Sequence, residues 1–255
     1  MDPGHLDTPG PVSRVPEVGP VSRVPEVGPV VDIGTFATLY ALDDTRVLRR
    51  YRSGRDAGGE ARLLAHLHAH GLPVPHTVHR GGPDLEVERL HGPTLLQGLV
   101  SGEVSIRQGA AMLADLHARL HAVPVPPEMS GPPGSVVVHL DLHPGTVVLS
   151  EEHGPVLVAW GSAGLDDPAV DCACTALVIG EVASDEGEEY APAARALLAA
   201  YLHACPRFTP DHIAAAAAHR RRDLGLSEAE RELIPASQRL VARLLDLTRP
   251  ASARP

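Results

Sequence analysis

HLDLHPGTVVL, His139 to Leu149, sets one aspartate between two histidines and then turns at Pro144-Gly145 before an apolar run. Pro-Gly pairs punctuate turns. The β-branched residues on either side read as strands, so Val136–Trp160 is expected to be a loop held between short strands. An aspartate read alone in such a loop is a turn former. Working outward, VLVAWGSAGLDDPAVD (Val156–Asp171) carries a second turn. Upstream, AAMLADLHARLH has helical periodicity within Val104–His121, preceded by a short helix over Pro93–Val100. Downstream, helices are expected over Val170–Val182, Glu188–Ala204, Pro210–Arg222 and Ser227–Leu247.

The segment before this helical region has another character. Val30–Ile33, Ala37–Leu42 and Arg46–Tyr51 read as three strands, with Asp43-Asp44 as a turn. Asp56–His70 reads as a helix with Leu64 and Leu67 on one face, ended by Gly71 and Pro73. Thr77–Arg80 and Leu85–Arg89 read as two more strands around Gly81-Gly82. Strands that cluster early, with helices following, predict an α+β chain of two lobes rather than a doubly wound sheet. The expected division is residues 30–90 for the strand-rich lobe and 91–247 for the helical one, with a frayed tail from 248 to 255. Residues 1–29 read as a disordered tail. The first thirty residues hold eleven Pro or Gly and repeat GPVSRVPEV at Gly10–Val18 and Gly19–Val27, and two such copies are too few and too short for a solenoid.

Composition narrows the function. The 255 residues are 44% hydrophobic, enough to fill a core. No apolar run approaches the length of a membrane span and no leader pattern precedes the first strand, so a soluble, cytoplasmic protein is expected. A net charge of −10 argues against nucleic acid as a partner. Cys172, Cys174 and Cys205 read as free buried thiols rather than metal ligands. His66 and His70 are four residues apart, but no further ligand completes a metal site with them. There is no lysine and no asparagine, so all 22 basic residues other than histidine are arginine. Both missing residues have codons beginning AA, as strong G+C bias would deplete.

The stretches EARLLAHLHAHGLPVP (Glu60–Pro75), VERLHGPTL (Val87–Leu95), LADLHARLH (Leu113–His121), HLDLHPGTVVL and VLVAWGSAGLDDPAVD occur in this order. Together they resemble the aminoglycoside phosphotransferase and choline kinase-like group of small-molecule kinases, over roughly residues 30–247. The resemblance implies a bilobal protein kinase-like fold with a five-stranded antiparallel N-lobe carrying one helix and a mainly helical C-lobe. It also implies ATP and magnesium as cofactors. Asp141 falls at the position of the base that takes the proton from the acceptor hydroxyl, with His139 bracing the loop. Arg49, or Arg50 if the register differs by one, falls where the strand-three lysine belongs. Glu60 shares the inward helical face of Leu64 and Leu67 and needs a partner, for which Arg49 is the natural choice. Gly34 represents the nucleotide loop, and Glu88, Arg89 and Leu90 the hinge.

Two positions depart from the pattern. The metal-holding asparagine is Thr146 and the metal-holding aspartate is Ala159. Each change can arise from a single A-to-C substitution. Thr146 retains a hydroxyl as a weak candidate metal ligand, and Asp166, which stands where the family has the glycine of Gly-Asp-Pro, is another. Asp167 and Asp171 match positions that fasten the segment. Three readings follow: an ATP-dependent kinase of a small hydroxylated, aminoglycoside-like acceptor with activity weakened or lost, a pseudokinase that binds a ligand or a protein partner without transfer, or a decayed gene product.

Overall fold

The structure, a computed structural model, describes residues 27–34, 36–185 and 187–248. The repeat at 10–27 lies almost wholly outside the described residues, as does the tail beyond 248. Five strands, β1 (Val30–Ile33), β2 (Ala37–Ala41), β3 (Arg46–Tyr51), β4 (Thr77–Gly81) and β5 (Asp84–Glu88), form one antiparallel sheet in the order β1-β2-β3-β5-β4. Helix α1 (Gly58–Ala69) is inserted after β3 and packs its buried face, Ala61, Leu64 and Leu67, toward the interior. It starts two residues later than its periodicity predicts, because the Asp56 carboxylate accepts the Gly58 N–H (3.0 Å) in a turn that precedes the helix.

The helical part begins with α2 (Leu95–Ser101) and α3 (Ile106–His121). Capping boxes set both starts: Thr94 with Gln97, and Ser105 with Gln108, each exchange side-chain and backbone bonds. The starts expected from periodicity, Pro93 and Val104, lie just outside these caps. Helix α4 (Pro168–Ser184) is apolar all round and runs through the centre. α5 (Ala191–Ala204), α6 (Pro210–Arg222) and α7 (Glu228–Thr248) surround it. Cys172 and Cys174 lie in this buried helix, and all three cysteines are free and buried. Among the described residues no helix is long and apolar enough to cross a membrane.

Two small two-stranded sheets interrupt the helices and create the site. β6 (Val136–Val138) pairs with β9 (Gly164–Asp166), and β7 (Val147–Ser150) with β8 (Gly154–Leu157). Residues 139–146 therefore cross from one sheet to the other, and residues 158–163 cross back beside them. The fold is α+β, with a five-stranded antiparallel sheet and one helix ahead of a helical C-terminal part.

Candidate active site

A cleft of about 670 Å³ separates the sheet from the helical part. Gly34, Arg49 and the hinge residues Glu88, Arg89 and Leu90 line it from one side, and Asp141, Thr146 and Ala159 from the other. These residues come from five separate segments of the chain.

The loop that carries Asp141 is pinned from behind. Asp171, fully buried on the first turn of α4, accepts the backbone N–H of His139 (3.1 Å) and of Leu140 (2.7 Å). It also accepts a bond from His121 Nε2 (2.8 Å), and His117 Nδ1 lies 3.3 Å away. Burial alone would raise the Asp171 pKa, but His117 and His121 outweigh it and hold the carboxyl well below the usual range. This grip forces Leu140 to a φ of +62°, a left-handed conformation that costs a branched residue about 1–2 kcal/mol. His139 is buried and donates from Nε2 to the Val158 carbonyl (2.9 Å), leaving Nδ1 to accept the Asp141 N–H (3.2 Å). Burial pushes its pKa down to about 4, so it braces the loop as a neutral ring.

Asp141 itself is only part-buried and opens on the cleft. Burial raises its pKa to about 6, partly offset by Arg220, whose Nη1 stands 3.6 Å from Oδ1. At neutral pH about nine-tenths of such a group is ionised, which suits a general base. His143, pushed down to about 4 by burial, accepts the Gly145 N–H and packs locally.

On the sheet side, the register resolves the choice between neighbouring arginines. Arg49 points into the cleft and pairs with Glu60 of α1, which also receives Tyr51 Oη and Arg55 (3.3 Å). Arg50 faces the other way and forms a two-bond fork with Asp84. Arg49 Nε and Thr77 Oγ1, both on cleft-lining residues, are buried polar atoms without a hydrogen-bond partner. At the hinge, the Glu88 N–H is taken by the His76 carbonyl (2.9 Å) and the Arg89 N–H by Thr45 (2.8 Å). The Leu90 N–H has no partner among the described residues.

The metal positions do not fit a magnesium ion, which prefers oxygen ligands that include one or two carboxylates. The Thr146 hydroxyl, buried, accepts the His143 N–H (2.9 Å) and lies within donating distance of the Asp141 and His143 carbonyls (3.1 and 2.9 Å). It closes the loop, using its hydrogen and one lone pair there, so it keeps at most one lone pair of a neutral oxygen and no carboxylate for a cation. Ala159 faces the cleft with a methyl group and a φ of +67°, a left-handed backbone that Asn and Asp tolerate better than Ala. Asp166 is exposed at the end of β9, accepts the Asp167 N–H (2.8 Å) and does not line the cleft. Of the acidic residues that do, Asp32 lies on β1 and Glu88 on β5, so among the described residues Asp141 is the one cleft-lining carboxylate on the crossing loops. Asp167 caps α4 through the Ala169 N–H.

A model of the phosphotransferase enzyme family (APH) matches residues 34–134 and 127–216. The chain belongs to this family. No curated protein sequence matches it, whereas solved structures of the family superpose along most of its length. An amicoumacin kinase in complex with AMP-PNP, Ca2+ and Ami gives a TM-score of 0.52 at 15% identity, covering 88% of this chain and 89% of that one. ADP-bound aminoglycoside phosphotransferase APH(2'')-Ib gives 0.51 at 11% identity, covering 86% and 95%. The gentamicin complex of APH(2'')-IIa gives 0.51 at 12% identity, covering 85% and 92%. At these identities the likeness establishes the phosphotransferase fold.

The sequence did not single out Arg220 or Glu181. Both lie in runs that read as ordinary helix, and only the packing of α6 on α4 brings them to Asp141.

Proposed function

We propose that this phosphotransferase-family protein binds a nucleotide in the cleft and presents Asp141 to a small hydroxylated acceptor, with phosphoryl transfer weakened or lost. The observation that carries the second half is the pair Thr146 and Ala159: a hydroxyl spent on its own loop, and a methyl group on a left-handed backbone where a carboxylate is needed. Bound ATP would supply the phosphoryl group. On the chain's side, Arg49, held by Glu60, offers charge to the phosphates, and the Leu90 N–H offers a donor to the base. Asp141, mostly ionised at neutral pH, takes the acceptor's proton. Loss of the metal's charge stabilisation removes several kcal/mol, and each ~1.4 kcal/mol is tenfold in rate.

Thermal shift with ATP, with and without magnesium, tests the binding half. Stabilisation by ATP that magnesium does not increase is the expected result, and no shift with either would remove the nucleotide from the reading. Reversion tests the other half: Thr146→Asn with Ala159→Asp is expected to give magnesium-dependent ATP turnover at least tenfold above the parent. A parent that already turns over several ATP per second would show that the metal positions are not a defect.

A further inference from the structure

The acceptor side of Asp141 is already occupied by a cation of the protein's own. Arg220, on the last turn of α6, is 9% exposed. Its Nε and Nη2 form a fork with the Glu181 carboxylate of α4, at 3.1 and 2.9 Å. Two bonds in one plane fix the guanidinium and aim the remaining nitrogen, Nη1. That nitrogen lies 3.6 Å from Asp141 Oδ1 and 3.6 Å from Asp223 Oδ2, too far for a hydrogen bond to either. Asp141 and two further carboxylates, Glu181 and Asp223, thus face one guanidinium. Arg220 does not line the cleft that reaches Asp141 from the sheet side, so it closes the base's opposite flank.

An ammonium group brought beside Asp141 would meet the Arg220 Nη1 at a few ångströms, a like charge held in place by its fork with Glu181. An oxygen brought to the same place would find N–H donors with no hydrogen-bond partner. We propose that Arg220 is a specificity-determining residue that fills the place beside Asp141 where a polyamine acceptor would set an ammonium group, so that the acceptor taken is a polyol without cationic groups. The proposal rests on the reading of Asp141 as the acceptor-side base.

The test is calorimetric titration of the full chain with gentamicin, a polycation, without nucleotide or metal. Arg220→Gln combined with Glu181→Gln removes the guanidinium and its buried partner together and leaves the net charge unchanged, so any change reports the loss of this local pair rather than a change in overall charge. Arg220→Met with Glu181→Leu does the same with apolar side chains, which tolerate burial better and secure a folded comparison. Gentamicin is expected to bind both double variants at least tenfold more tightly than the parent, about 1.4 kcal/mol or more. Equal affinity in parent and variants, or no binding in any of them, would overturn the proposal. Because nucleotide and metal are absent, either result stands apart from whether phosphate is transferred.

Discussion

Asp171→Asn isolates what holds the catalytic-type loop in place, because the amide keeps the shape of the carboxylate and loses one acceptor. In the parent, Oδ1 takes the Leu140 N–H and Oδ2 takes the His139 N–H and His121 Nε2, all within a fully buried pocket. An asparagine has a single oxygen. Whichever way it turns, its NH2 group faces at least one backbone donor, which is then left buried and unmet at about 1–3 kcal/mol. Bonds to a charged group contribute about 1.5–3 kcal/mol, and those on the lost side go with it, so the total is about 3–5 kcal/mol. Typical stabilities of about 5–15 kcal/mol leave the variant folded. Urea unfolding at pH 7 should show a lower midpoint with an unchanged slope. The sign with pH follows from the depressed Asp171 pKa. Its stabilisation is full above the unfolded value of about 3.9 and is lost as pH falls toward the folded one. The gap between parent and variant should therefore narrow below about pH 4. A loss under about 1 kcal/mol at pH 7, or an undiminished gap at pH 3, would refute the account of the loop.

Asp141→Asn should behave in the opposite sense. The folded pKa near 6 lies above the unfolded value, so ionisation costs stability as pH rises through that window. The variant should gain about 2–3 kcal/mol at pH 7.5 and little at pH 4, measured as the melting-temperature difference by calorimetry; an equal gain at both would discount burial as the cause. Gly92→Ala, just past the hinge, should destabilise strongly, because φ is +138° and a Cβ would sit 2.0 Å from the Leu149 carbonyl oxygen. A melting temperature lowered by less than about 4 °C would contradict that crowding.

Much of this architecture is legible in the chain. β-Branched runs and turn dipeptides locate the five strands, and the leucine spacing in Glu60–His70 locates α1, because both depend on local periodicity. The pattern could not choose between Arg49 and Arg50: adjacent residues on a strand face opposite ways, and only pairing against β5, with Asp84 opposite Arg50, settles which enters the cleft. Nor could it show that the Thr146 hydroxyl is spent, since its partners are loop carbonyls and an N–H whose direction depends on the turn.

What the sequence determined by itself is the family, the order of elements and the replacement of the metal-holding asparagine and aspartate by Thr146 and Ala159, all of which follow from residue identity and spacing. What only the tertiary structure decided is the state of Asp141. Asp171, thirty residues on, pins the loop from behind, and Arg220, from a helix whose HRRR ending reads as an ordinary charged terminus, stands in front of the carboxylate. Charge and burial act through space, over a few ångströms, and the packing of α6 against α4 sets those distances while spacing along the chain does not.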